Sequence, residues 1–185
     1  MRRSSALAAL VLGCASGSAP PAAELPASPA PSRGYALLYA LMSQEKQLSK
    51  LLIIKSERED FGALVQDIAD TCERAHERLE ELAEADPSLD LADTGLPAVE
   101  IDNRKAIQSA RTKQLMAASG EEFEIQLMLA QNEALTYSSN LTEVLARAEP
   151  DEARLEFARA LWRDLRSLQE RLWSLVRSRY RWTPD

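Results

Sequence analysis

The sequence predicts an all-α protein, a bundle of four long helices, for two reasons. Ala, Leu, Glu, Arg and Gln, which favour helices, are abundant, and glycine occurs only six times in 185 residues. Apolar residues also recur every three or four positions along four stretches, as they do on the buried face of a helix. The net charge of −7 argues against general nucleic-acid binding, which needs a basic surface.

The bundle domain is predicted over residues 34–179. Its four long helices are expected over residues 34–55, 60–85, 119–148 and 150–179. A weaker helix, residues 98–118, falls within a connection of about thirty residues, whereas neighbouring bundle helices are usually joined by about two to eight. Such a connection can cross the length of a bundle and make the third long helix run parallel to the second. The sequence therefore predicts a ferritin-like topology with a helical crossover.

The apolar spacing also predicts which faces are buried. On the second long helix the apolar residues form a seam, the stripe that packs against neighbouring helices. Cys72 lies in this seam, and we expect it to be a small core residue, while Glu73 lies outside the seam. Ser119 and Glu122 have the spacing of a capping box at the start of the third. That helix has two apolar faces, which suggests that the crossover helix packs on its back. One face consists of Phe123, Leu127, Ala130, Ala134, Tyr137, Leu141 and Val144, and the opposite face of Ile125, Met128, Leu129 and Leu135.

Residues 1–13 are predicted to be a lipoprotein signal peptide. Positive charge at residues 2–3 precedes an apolar segment, residues 6–12, that is too short to span a bilayer. Val-Leu-Gly-Cys at residues 11–14 resembles the bacterial lipobox, which implies that Cys14 carries lipid after cleavage. The alternative is a chance cysteine in an ordinary signal peptide.

Residues 14–33 are predicted to be a spacer between this lipid and the bundle. They are rich in Ala, Ser and Pro, so they cannot bury a core. Ala15 stands where the inner-membrane retention signal of enterobacterial lipoproteins places Asp. The resemblance therefore implies an outer-membrane, lipid-anchored protein of the cell envelope that faces the periplasm or the cell surface. Its expected partners are the membrane, through the lipid, and an unidentified envelope protein.

Glu45 and His76 form a candidate buried polar pair. Glu45 falls inside the apolar stripe of the first helix, and His76 lies at the margin of the second helix's seam. The alternative places Glu45 at the stripe edge with its carboxylate in water, because unpaired buried carboxylates are costly. His76 is the only histidine, so neither a Ser-His-Asp set nor a two-metal centre can be assembled sensibly. We expect no enzyme activity, no metal site and no cofactor.

Four short motifs resemble a ferritin-like, exported bacterial family of unknown function. They are the Glu-x-x-Leu-x-Lys-Leu pattern at residues 45–51, the Phe, Ala and Leu of residues 61–79, the Ser-Gly-x-x-Phe at residues 119–123, and the Leu-x-x-x-Leu at residues 168–172. The resemblance implies a ferritin-like bundle in an exported protein. The histidines of the family are replaced here by Cys72, Asn132 and Arg171, so a metal or acid-base role of the family does not carry over to these positions.

Aromatic and basic residues gather near the C-terminus, in the last helix and in a tail over residues 180–185. We predict a surface contact with lipid headgroups, cell-wall polymer or a partner protein, formed by Trp173, Arg177, Arg179, Tyr180, Arg181 and Trp182. A frayed helix end with basic side chains that reach into water is the alternative. The sequence as a whole predicts a non-catalytic structural or protein-interaction module. A degenerate ferritin-like metal or stress-response protein and a periplasmic chaperone are the alternative functions.

Overall fold

The computed structural model describes residues 32–47 and 58–180, and these residues confirm the all-α class. Five helices lie in this part of the chain: α1 Ser32–Glu45, α2 Glu59–Ala85, α3 Ala98–Ala117, α4 Gly120–Ala148 and α5 Glu152–Tyr180. The described residues contain no strand. Among the described helices, none combines the length and the apolar character that a membrane crossing needs. The signal peptide, Cys14, most of the spacer, Arg181 and Trp182 lie outside the described residues.

The helix ends of α2 and α5 follow signals in the sequence. α2 begins with Glu59 and Asp60, whose charges suit the positive end of a helix dipole, and it ends immediately before the Asp-Pro pair at residues 86–87. Before α5, the Asp151 carboxylate accepts a hydrogen bond from the backbone N–H of Arg154 at 2.9 Å. This is the bond that an N-cap residue makes to the third residue of a helix.

One predicted boundary and one predicted cap are wrong. α1 ends at Glu45 instead of continuing through residue 47, because the Gln47 N–H bonds to the Gln44 carbonyl, three residues back, and the last turn tightens. Residues 48–55 of the expected helix lie outside the described residues. At α4 the Ser119 side chain makes no capping hydrogen bond. Gly120 has a φ of +55° instead, which lets the chain reverse between α3 and α4 within two residues.

The helices α1, α2, α4 and α5 surround one core. α1 packs on α2 and α4, and α5 packs on the same two helices, whereas α3 touches α4 more lightly. α1 and α4 approach closely at Gly34, where an added Cβ would lie 2.5 Å from Leu145 Cδ2. The largest fully buried apolar side chains come from α1, α2, α4 and α5: Tyr35, Leu38, Met42, Phe61, Ile68, Leu79, Phe123, Leu127, Leu135, Leu165 and Leu172.

Ion pairs at the two ends of the bundle establish the helix directions. Near the end of α5, Arg179 donates to Asp60 at the start of α2 and to Glu124 at the start of α4, at 2.5 and 2.6 Å. At the opposite end, Arg154 of α5 pairs with Asp86 and Glu149, which directly follow α2 and α4. α2 and α4 therefore run in the same direction, as the long connection between them predicts.

The predicted apolar faces of α4 are partly wrong. Tyr137 and Val144 are 41% and 59% exposed, whereas Ser138 and Thr142 are buried. These two hydroxyls donate to carbonyl oxygens of α4 itself, each at 2.6 Å, so they can face the core without an unsatisfied donor. The second predicted face is divided: Met128 and Leu135 are buried in the core, whereas Leu129 is 62% exposed and is not covered by α3.

Candidate ligand-binding cleft

The predicted pair of Glu45 and His76 does not form. Glu45 Oε2 accepts a hydrogen bond from Gln131 Nε2 of α4 at 3.2 Å. The ring of His76 stacks instead on Tyr39, with the ring centroids 4.2 Å apart, and its Nδ1 lies 3.3 Å from Lys46 Nζ. Consecutive residues on a helix point about 100° apart. Lys46 therefore faces α2 while its neighbour Glu45 faces α4.

His76 is buried as a neutral side chain. It is 6% exposed, although the sequence places it at the margin of the seam. Burial lowers the pKa of His76, and the charge of Lys46 lowers it further. Glu80, whose Oε1 lies 3.8 Å from Nδ1, opposes that shift without reversing it. The imidazole thus contributes to the packing of α1 against α2.

A cleft of about 700 Å³ lies between α1, the segment before α3, α3 itself and α4. It exists because α3 spans this side of the bundle without packing closely on it. The structure describes every residue of α3, and Leu115 is the only one of them that is buried. The apolar part of its walls includes Leu37, Leu41, Ile101 and Leu115. This volume falls within the range of small-molecule sites, about 300–1,000 Å³.

Glu45 of α1 and Gln131 of α4 are polar residues of the cleft wall, which Gln44 and Gln47 also line. Gln131 is 1% exposed, and its Oε1 has no hydrogen-bond partner within residues 32–47 and 58–180. Burial raises the pKa of Glu45, against the opposing effects of the Gln131 hydrogen bond and the positive charge of Arg111. The carboxyl group is therefore held in a place that disfavours its charge.

Three basic residues of α3 also line the cleft: Arg104, Lys105 and Arg111. Each of them has a carboxylate partner outside the lining. Arg104 Nε lies 2.8 Å from Glu100, and Lys105 Nζ lies 3.9 Å from Asp102. Arg111 pairs with Glu133 of α4. Each of these positive charges therefore has a carboxylate partner other than Glu45.

The described residues of the predicted C-terminal surface contact do not form one surface. Trp173 and Tyr180 line a small apolar groove of about 220 Å³ between α4 and α5, together with Ile125 and Leu129. Arg177 is exposed.

Arg179 is not a surface contact. Its side chain is 9% exposed, it pairs with Asp60 and Glu124, and its guanidinium lies 5.6 Å from the centre of the Phe61 ring. Two carboxylates and a ring on neighbouring helices draw this side chain inward. Arg179 therefore joins three helices instead of meeting a partner.

Cys72 lies in the core as predicted. It is 1% exposed, and burial raises the pKa of its thiol, with a further upward effect of the Glu45 charge. A buried protonated thiol is a poor nucleophile and a poor metal ligand. Within the described residues, no group of three or more His, Cys, Asp or Glu side chains is arranged to hold a metal ion.

The cleft and Gln131 are the features that the sequence did not reveal. Gln131, Ser138 and Thr142 share one face of α4, and this polar spacing is the signal that could have indicated a buried polar face. No family model, no curated protein and no solved structure matches the chain. The resemblance to an exported ferritin-like family therefore stays a prediction.

Proposed function

We propose that this chain is a lipid-anchored protein of the bacterial cell envelope whose helical bundle acts by binding, without catalysis. The cleft between α1, α3 and α4 is the observation that carries the proposal, because a concave cavity in which polar side chains converge beside apolar ones is typical of a ligand site. The lipobox-like residues 11–14 support the anchor. The common direction of α2 and α4 and their long connection support a ferritin-like topology.

Binding to another envelope protein is the second candidate function. The groove between α4 and α5 favours it, because Leu129 at its edge is 62% exposed. The same exposed side chains are the support for a chaperone. The degenerate metal protein is less well supported, since Glu45 and His76 have different partners.

The anchor is tested by metabolic labelling of the full chain with an alkyne fatty acid in a bacterial host. The two cysteines provide a matched pair of variants. We expect Cys14→Ser to abolish the label and the membrane association, and Cys72→Ser to leave both unchanged. A label that survives Cys14→Ser, or a wild-type chain without a label, would contradict the proposal.

The cleft is tested by filling it. Ala40 lines the cleft, whereas Ala153 is exposed on α5, so Ala40→Phe and Ala153→Phe add the same group in different places. A set of small amphipathic molecules with cationic, neutral and anionic head groups is titrated into the full chain by calorimetry. Binding of at least one of them, lost in Ala40→Phe and kept in Ala153→Phe, supports a ligand site. No binding by any of them counts against it.

A further inference from the structure

Glu45 and Gln131, on the bundle side of the cleft, carry hydrogen-bond acceptors that lack donors from the described residues. The Gln131 amide gives its N–H to Glu45, so its oxygen is the atom left without a partner among the described residues. From the described residues Glu45 receives this one hydrogen bond, although a carboxylate can accept about four. Most buried polar atoms in folded proteins are satisfied, so an unfilled acceptor beside a cavity indicates the chemistry of a missing occupant.

The basic residues of the cleft do not supply these donors. Arg104, Lys105 and Arg111 pair with Glu100, Asp102 and Glu133, which lie outside the cleft lining. Arg111 is close enough to lower the pKa of Glu45, but no hydrogen bond links the two side chains in the described part. The described basic residues therefore leave this donor position open, and a ligand in the cleft can fill it.

We propose that the cleft binds an amphipathic amine, a small molecule with a primary ammonium group on an apolar body. The inference rests on the proposed function, in which this cleft is a ligand site. An ammonium group has three donors and no acceptor, which complements the Glu45 carboxylate and Gln131 Oε1. The apolar body would lie against the leucine and isoleucine side chains of the cleft, such as Leu37, Leu41 and Ile101.

Affinity for the amine should depend on pH through Glu45. Among the described residues, the groups that face this carboxyl are the Arg111 guanidinium from α3, the neutral Gln131 amide from α4 and the protonated Cys72 thiol from α2. Burial raises the pKa of Glu45, so protonation begins at a higher pH than for an exposed glutamate. Because the protonated carboxyl has lost its charge, the amine should bind more weakly as the pH falls.

The experiment compares three probes that share one apolar body: 4-phenylbutylamine, 4-phenylbutanol and 5-phenylpentanoate. Each is titrated into the full chain in a non-ionic detergent, by calorimetry at neutral and mildly acidic pH. We expect the amine to bind most tightly and its affinity to fall with the pH. Tighter binding of the alcohol or the acid would overturn the amine assignment and leave the ligand site standing. The absence of binding by all three would overturn both.

Glu45→Gln tests the carboxylate itself, because glutamine keeps the shape and removes the charge. Loss of a charged hydrogen bond should weaken amine binding about tenfold or more and abolish its pH dependence. Glu73→Gln is the matched control, since Glu73 is exposed on α2 away from the cleft. Gln131→Met removes the unfilled oxygen and should also weaken the amine. Equal affinity in Glu45→Gln and the wild type, with circular dichroism showing that both are folded, would refute the proposal.

Discussion

Replacing Arg154 with alanine tests whether one end of the bundle depends on a buried ion pair. The Glu149 side chain, between α4 and α5, has no exposed surface, and its Oε1 lies 3.0 Å from Arg154 Nη2. Arg154 also pairs with Asp86 after α2, so it connects three helices. Arg154→Ala would leave the Glu149 carboxylate buried without its cation. We expect the free energy of unfolding to fall by about 3–5 kcal/mol.

The measurement is urea unfolding followed by far-ultraviolet circular dichroism. Arg147→Ala is the matched control, because Arg147 is 74% exposed and pairs with Glu143 along the same helix. An exposed pair of this kind contributes only about 0.3–0.5 kcal/mol. Adding Glu149→Gln to the Arg154→Ala variant should recover part of the lost stability, because the buried group is then neutral.

The effect should also depend on pH. Burial opposes the ionisation of Glu149, but hydrogen bonds from Arg154 and from the Asp151 backbone outweigh it, so the pKa of Glu149 is lowered from 4.5. A carboxyl group whose pKa is lower in the folded state stabilises the fold above its unfolded pKa, and this contribution is lost as the pH falls through its folded pKa. The difference between wild type and Arg154→Ala should therefore be full at neutral pH and shrink below about pH 4. A loss no larger than that of Arg147→Ala, or one that is independent of pH, would refute this reasoning.

Three further predictions concern single side chains. Arg179→Ala should lower the free energy of unfolding by about 3 kcal/mol, because Glu124 is 5% exposed and loses its closest cation. In the same urea assay the control Arg177→Ala should change it by less than about 0.5 kcal/mol. Glu45→Gln should stabilise the fold at neutral pH, because the pKa of Glu45 is raised in the folded state and ionisation therefore disfavours folding. The gain in free energy of unfolding should vanish below the unfolded pKa of 4.5, and urea unfolding at a series of pH values measures it. Cys72 in a Cys14→Ser chain should react with iodoacetamide only on unfolding, so rapid alkylation of the native protein would contradict its burial.

The sequence predicted the helices well because their signals are local. A proline after α2, an acidic first turn in α2 and an aspartate N-cap before α5 act on the neighbouring backbone, so their effect does not depend on the rest of the fold. The seam of α2 was equally clear, since Phe61, Ile68 and Cys72 repeat with the helical period. α4 was less clear, because its buried face includes polar side chains that an apolar pattern does not identify.

What the sequence by itself determined is the all-α class, the extent of most helices and the core position of Cys72. Only the tertiary structure decided which side chains meet. Glu45 contacts Gln131, 86 positions along the chain, and Arg179 turns inward to Glu124 and Asp60. Such partners depend on the rotation of each helix about its axis and on which helix lies beside it. The cleft depends on how closely α3 packs against the bundle, a property of the assembled helices that no local pattern encodes.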